Sequence, residues 1–435
     1  MSRQLNSDLN SAIEEAQALY LEKRPITAAT HEEASKVMPG GNTRTVLFHG
    51  PVPLRIASGE GAYVKDVDGH RYLNLLGEYT AGIYGHSHPL IKKAIKDAID
   101  GGINLTGHNT YEHRLAKLVC DRFASVELVR FTNSGTEANL MALSTARTHT
   151  GREKVMVMNG GYHGGLLYFG GGGIPTNAPY PFVLGRYNDI ETTRALIQEH
   201  ATELACVLVE PMMGSGGCIV GDVKFLQMLR EETSKAGALL IFDEVMTSRF
   251  VGGGAQGLHG IKPDMTTLGK YIGGGMSFGA FGGRADIMEL FDPTKEGHVP
   301  HAGTFNNNTL TMAAGIVGIG EIFTDDKARE LHDRGTWLAQ QVNQVFLAQS
   351  VNFIASGIGS LINIHASRTA PSSPEEVAQL DQSTRELLFL DLLEAGYYQA
   401  SRGFIALSLE ITDQNCLDFV EALNEAVQAR KPLYM

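Results

Sequence analysis

The sequence predicts an α/β fold in which a parallel sheet is covered by helices on both faces. From about residue 105 to 320, short β-rich apolar runs at 128–131, 154–158, 205–209, 238–242 and 277–281 alternate with helical stretches that include 139–148 and 225–235. Runs that are apolar throughout, rather than alternating, suit strands buried on both faces. Polar residues follow three of these runs: Asn133, Glu210 and Asp243. Sheets of this kind bind their ligands outside the carboxyl ends of the strands.

Residues 1–75 are expected to form an N-terminal arm and part of a smaller domain. The start, Met1 to Asn10, is polar, and helical periodicity follows over 7–22. Thr30-His31-Glu32-Glu33 reads as a capping box, opening a short helix that stops at Met38-Pro39-Gly40-Gly41. Residues 54–75 alternate as strands around a tight turn at Asp66-Val67-Asp68-Gly69. Residues 76–320 are expected to form the large domain. Gly237 is a stop for the helix at 225–235. The glycines at 170–173 and in Val251-Gly252-Gly253-Gly254 read as loops, without the strand–GxGxxG–helix context of a dinucleotide site. Residues 321–435 have helix, strand, helix, strand and helix character, with helices at about 326–348, 374–395 and 415–430. They are expected to form a smaller α+β domain.

The chain has 435 residues, 43% hydrophobic and 19% charged, enough for one large domain and a smaller one. A formal net charge of −12 argues against a general nucleic-acid or anionic-membrane surface. Cys120, Cys206, Cys218 and Cys416 are far apart with no C-x-x-C pair, so neither a metal site nor a disulfide framework is expected. No apolar run is long enough to span a bilayer, and no signal or transit segment is visible. A cytoplasmic location, with no membrane or nucleic-acid partner, is the expectation.

The chemistry centres on two residues. Lys270 lies in Leu268-Gly269-Lys270-Tyr271-Ile272-Gly273-Gly274-Gly275, and Asp243 closes the run Leu239-Leu240-Ile241-Phe242. A buried-strand carboxylate followed by a lysine in a glycine-rich turn is what a pyridoxal phosphate (PLP) site requires. The lysine bonds to the cofactor aldehyde, and the carboxylate keeps the ring nitrogen protonated so that the ring can accept electrons. Lysine ordinarily titrates near about 10.4, and burial would depress that value and make the amine a better nucleophile. A carboxylate at the end of a core strand is costly unless paired. Alternation turns Glu244 away and returns Val245 to the Asp243 side, where it can pack against a ring.

Ser134-Gly135-Thr136 opens a helix after the run ending at Phe131, where unpaired amides and two hydroxyls suit a phosphate; with Glu137 it is equally a capping box. Tyr162, in Gly160-Gly161-Tyr162-His163-Gly164, offers a face for the cofactor ring. His163 reads as a hydrogen-bonded loop residue, which leaves Lys270 as the proton shuttle. Glu210, before Pro211, is either support near the cofactor oxygen or a cap. Thr304 offers another hydroxyl for the phosphate.

In combination, the segments 132–138, 161–164, 209–212, 241–247, 266–279 and 303–308 resemble the class III aminotransferases of PLP fold type I. The resemblance covers about residues 40–410, and is to the branch of glutamate-1-semialdehyde aminomutase and the β-phenylalanine-type aminotransferases. It implies a large domain with a mainly parallel seven-stranded sheet, and a homodimer whose active sites are shared. It implies that Ser134, Gly135 and Thr136 hold the phosphate within one subunit and Thr304 reaches that of the neighbour. Tyr162 would stack, Asp243 would pair with the ring nitrogen and Lys270 would carry the cofactor. Asn42-Thr43-Arg44-Thr45-Val46 and Ser401-Arg402-Gly403-Phe404 lie where the β-amino-acid branch has arginines for substrate carboxylates, a task suited to the guanidinium fork. Glu78-Tyr79-Thr80-Ala81-Gly82 also looks like that branch. The implied function is a ping-pong aminotransferase moving an amino group from an amino acid to a 2-oxo acid, with aromatic or aliphatic β-amino acids as candidate donors. Its rivals are a glutamate-1-semialdehyde 2,1-aminomutase or amino-acid epimerase on the same scaffold, and a PLP-binding protein without turnover. Arg402 argues against the mutase, which generally lacks a matching arginine.

Overall fold

The structure is a computed structural model that describes residues 8–435; the first seven residues of the polar start lie outside the described residues. The first helix, Leu9–Lys23, is capped by Asp8, whose carboxylate accepts the Ser11 amide at 2.9 Å. The second, Pro25–Ser35, begins five residues earlier than the capping box at Thr30 implied. Pro25 suits the first helical position, where no N–H is needed. Asp68 accepts the next two amides, those of Ile26 and Thr27, at 2.7 and 2.9 Å. That cap comes from a distant turn, so no local motif could announce it.

An antiparallel ladder follows, β1 (Ile56–Glu60), β2 (Tyr63–Asp66) and β3 (Arg71–Asn74). The expected turn joins β2 to β3, with Gly69 at φ 99° and its amide bonded to the Asp66 carbonyl. Next come β4 (Leu128–Thr132), β5 (Lys154–Met158), β6 (Phe182–Gly185) and β7 (Leu204–Val209). A small hairpin of β8 (Met212–Met213) and β9 (Ile219–Val220) precedes β10 (Leu239–Asp243), β11 (Met265–Gly269) and β12 (Gly279–Gly283). The central sheet has seven strands in the order β4-β12-β11-β10-β7-β5-β6. It is mainly parallel, but β12, the expected run at 277–281, is antiparallel to both its neighbours.

Two of the seven strands are not apparent as apolar runs. β6 is a half-buried edge strand. β11 is wholly buried yet carries Thr266, Thr267 and Gly269, which disguise it. Its hydroxyls are satisfied inside the core: Thr266 Oγ1 lies 2.7 Å from Ser125 Oγ, and Thr267 donates to Asn139 Oδ1 at 2.7 Å. Buried hydroxyls partnered in this way avoid the desolvation penalty of an orphan.

The C-terminal part contributes β13 (Ile354–Ile358), β14 (Leu361–His365), β15 (Tyr397–Tyr398) and β16 (Phe404–Ala406). β13, β14 and β16 form an antiparallel sheet, while β15 pairs in parallel with β3. The helical stretch expected at 374–395 is two helices, Pro374–Ala378 and Gln382–Glu394, because Asp381 starts a new one by accepting the Ser383 amide at 2.8 Å.

Strand parity sorts the core. Val155, Val157, Cys206, Leu208, Leu239 and Ile241 pack with Ala138, Ala142, Leu143 and Ala146 of the helix Gly135–Thr150. Met156, Val207, Val209, Leu240 and Phe242 face the other way, onto Phe225, Leu226 and Leu229 of the helix Val223–Ala236. That helix ends as expected at Gly237, at φ 64°. Continuing the alternation puts Asp243 under the helix Gly135–Thr150 and Glu244 on the opposite face. Ile241→Ala, in the middle of β10, should cost about 2–5 kcal/mol and lower the melting temperature clearly in a thermal melt. Val46→Ala, at an exposed site, should leave it unchanged within the scatter.

Candidate active site

Glycines and strand ends bring the site together. β4 runs into Ser134, whose extended backbone and Oγ, accepting the Glu137 amide at 3.2 Å, cap the helix Gly135–Thr150. Glu137 reaches back to the Asn133 amide at 2.9 Å rather than to that of the cap residue itself. The first helical amides, those of Gly135 and Thr136, have no carbonyl one turn earlier and face outward with partial positive charge. Thr136 Oγ1 accepts the Gly165 amide at 3.3 Å and keeps its proton to donate. Gly135 is required by space: a Cβ there would sit 3.0 Å from Val245 Cγ2. The same valine would meet a Cβ on Gly269 at 3.3 Å. Val245 therefore joins the helix start to the residue before Lys270.

Asp243 is 5% exposed and closes β10. Its Oδ2 accepts from Asn139 Nδ2 at 2.9 Å and lies 2.8 Å from His163 Nδ1, and its Oδ1 accepts the Val245 amide at 3.0 Å. Asn139 is itself fixed, donating to the His163 carbonyl at 3.0 Å and accepting from Thr267. No lysine or arginine pairs with Asp243 among the described residues. His163 Nε2 is buried without a hydrogen-bond partner. Glu244 points away, as parity requires, and accepts the Ala255 and Gln256 amides at 2.7 and 2.8 Å.

Lys270 follows β11, whose register sets Thr267 beside Asp243. It adopts φ 55°, and its Nζ donates to the Tyr79 carbonyl at 2.6 Å. Burial lowers its pKa from 10.5 to about 8, against the opposing pull of Asp243; Arg44 and Arg402 push it down further and Glu78 pushes it up. Folded protein thus binds fewer protons here than unfolded chain between about pH 8 and 10.5. Stability rises with pH across that window as the cost of the buried charge is relieved.

Glu210 follows β7 and is buried. Its oxygens accept the Tyr162 amide at 2.9 Å and the Gly214 amide at 3.0 Å. Burial raises its pKa to about 7, with His163 opposing and Asp243 adding to the rise. It braces the loop that carries Tyr162, whose ring is 38% exposed and meets Tyr168 edge-on at 5.7 Å. Arg44 is exposed and ion-paired with Glu78. Arg402 bonds Ser215 Oγ at 3.4 Å and lies with Cζ 5.1 Å above the Tyr79 ring. Thr304 is exposed, in a segment tied back to the site by a bond from Asn133 Nδ2 to Asn306 Oδ1 at 3.1 Å.

The structure therefore gathers Lys270, Asp243, Val245, Tyr162, Glu210, Arg44 and Arg402 around one end of the sheet, beside the helix start at Ser134–Thr136. It leaves Thr304 on the surface of the single chain. Sequence reasoning missed Asn139, Thr267 and the Glu78–Tyr79 pair. Asn139 was detectable in principle, as an amide one helical turn past Gly135 on the face lined by Ala138 and Ala142. Labelling of Lys270 by an amine-reactive reagent on the cofactor-free protein should follow its free-base fraction, with a midpoint near pH 8. A midpoint at the ordinary lysine value would contradict the burial described here.

Comparison with known proteins agrees with this geometry. The family model for aminotransferase class-III matches residues 48–169 and 175–427. A beta-phenylalanine transaminase of Variovorax paradoxus is 50% identical over 419 residues, 96% of each chain. The solved structure of a beta-phenylalanine aminotransferase from Variovorax paradoxus superposes with a TM-score of 0.97 at 50% identity, covering 98% of this chain and 99% of that one. A glutamate-1-semialdehyde 2,1-aminomutase of Heliobacterium modesticaldum is 36% identical over 417 residues, 91% of this chain and 95% of the relative. With the family model spanning nearly the whole chain and the likeness extending through β4 to β16, this protein belongs to the class III aminotransferases.

Proposed function

We propose that this enzyme is a PLP-dependent transaminase that takes the amino group of a β-amino acid and passes it to a 2-oxo acid. The observation that carries the reading is the pairing across β10 and β11. A buried carboxylate without a cationic side chain, Asp243, and a lysine depressed to about 8, Lys270, end neighbouring parallel strands. The residues fit the cofactor. A pyridinium is the counter-charge that Asp243 lacks, and the helix start at Ser134–Thr136 is an anion site with glycine where close approach is needed.

When bound, PLP supplies an aldehyde for the amine and a protonated ring that takes up electrons. Asp243 holds the ring proton, oriented by Asn139 and His163. Val245 packs on one ring face and Tyr162 covers the other. Lys270 Nζ takes the proton from the amine-bearing carbon of the donor and returns it, as a base poised near neutral pH. Ser134, Gly135 and Thr136 hold the phosphate. Arg44 and Arg402 grip the carboxylates of donor and acceptor.

A homodimer with shared sites is part of this reading. Thr304 lies in an exposed segment with Phe305, and Asn307 bonds the Gly107 carbonyl at 3.2 Å, beside exposed Ile103 and Leu105. An apolar face of this kind is a place for a second subunit, whose phosphate Thr304 would reach. No helix among the described residues is long and apolar enough to cross a membrane. The four cysteines are all free thiols, which suits a reducing cytoplasm. The aminomutase reading has less support: the relative so named is more distant at 36%, and Arg402 has a use only where two carboxylated substrates alternate.

The test is a donor screen on the purified PLP-loaded protein. 3-Amino-3-phenylpropanoate should turn over with 2-oxoglutarate and not without it, while glutamate-1-semialdehyde alone should give no isomer. Lys270→Ala should lose both the visible cofactor absorbance and turnover. Undiminished turnover in that variant, or isomerisation in the absence of a 2-oxo acid, would contradict the reading.

A further inference from the structure

The three cations of the site converge on one short turn. Gly77–Thr80 runs through four successive left-handed residues, with φ 54° at Gly77, 51° at Glu78, 48° at Tyr79 and 83° at Thr80. Three of these are not glycine, and each such residue costs about 1–2 kcal/mol. The surrounding structure holds the turn in place. The Leu76 and Gly77 amides both donate to Asn74 Oδ1 at 3.1 Å. The Tyr79 ring stacks on Phe404 at 5.5 Å, and its hydroxyl donates to the Val46 carbonyl at 2.7 Å. A strained turn fixed from several sides is a feature that points to function.

What the strain achieves is visible in its contacts. The Glu78 carboxylate meets Arg44 Nη1, the Tyr79 carbonyl meets Lys270 Nζ, and the Tyr79 ring lies under Arg402. The bond from Tyr79 to Val46 ties the turn to the segment carrying Arg44, two residues away. Among the described residues Arg44 is bonded through Nη1 alone, so the rest of its fork has no protein acceptor.

We propose that Glu78 is a positioning residue that holds the Arg44 guanidinium by one end and leaves its other N–H edge for the carboxylate of the substrate. This inference rests on the reading of Arg44 as a carboxylate-binding residue. A long arginine on an exposed loop loses considerable rotamer freedom when it grips a ligand. Anchoring it beforehand lowers that cost. Glu78 would then govern the affinity for carboxylated substrates without touching them. Amines that lack a carboxylate would not sense it.

The experiment measures binding of 3-phenylpropanoate, a carboxylate with no amine to react, to the PLP-loaded enzyme by calorimetry, together with the kinetics of 3-amino-3-phenylpropanoate and of 1-phenylethylamine. Both members of the pair are about half exposed, and the fold-change expected of such a pair is modest. Glu78→Ala should raise the Kd and the donor KM by about two- to fivefold, with kcat little changed and 1-phenylethylamine unaffected. Glu78→Gln keeps an oxygen to accept from Nη1 and should restore most of the affinity. In an Arg44→Ala background, Glu78→Ala should have no further effect. The role of Glu78 is overturned if Glu78→Ala leaves the Kd unchanged or lowers it, if it harms both substrates equally, or if it acts without Arg44. If Arg44→Ala alone leaves binding unchanged, the carboxylate role of Arg44 falls, and this inference with it. If Arg44→Ala weakens binding and Glu78→Ala does not, only the role of Glu78 falls.

Discussion

The buried carboxylate of Asp243 is the constraint around which the site is organised. An ionised group at the end of a core strand demands donors and a counter-charge. Asn139, His163 and the Val245 amide provide the donors. None of them is a permanent cation, so the arrangement is complete only when a positive group faces the carboxylate. A protonated pyridine ring is such a group. The helix Gly135–Thr150 has two roles in this arrangement: its first turn presents amides for the cofactor phosphate, and its next turn supplies Asn139 to Asp243. One helix thereby sets the distance between phosphate and ring nitrogen.

Lys270 owes its position to the same sheet. β10 and β11 run in parallel with Asp243 beside Thr267, so the residues after Gly269 leave the sheet next to the carboxylate. Burial depresses the amine, and a lysine without its proton near pH 8 can act as nucleophile and base. Thr267 joins the two halves by donating to Asn139, so the strand bearing Lys270 and the helix bearing the phosphate amides share one hydrogen-bond network.

Much of this was legible in the residues because strand geometry is simple arithmetic. Once 238–242 is taken as a buried strand, alternation sends Asp243 and Val245 to one face and Glu244 to the other, and the structure has them so. Partners that arrive from far along the chain were not legible. Asp68 caps a helix begun by Pro25, and a reading confined to neighbouring residues found Thr30 instead. β11 escaped notice because its threonines are polar in composition but satisfied in place. The antiparallel sense of β12 has no signature in its own residues, since it depends on how short a turn joins it to β11. Glu78 and Tyr79 carry no sign in the sequence that their backbone is left-handed, and only the packing around Asn74 and Phe404 makes it so.

The central claim is that Asp243 faces a protonated ring nitrogen. It is tested most directly by loading the protein with PLP labelled with ¹⁵N in the ring and recording its nitrogen NMR spectrum. The account predicts the resonance of a pyridinium, held up to a pH well above that of the free cofactor ring and lost in Asp243→Asn. A resonance of unprotonated pyridine in the unmodified enzyme at neutral pH would contradict it.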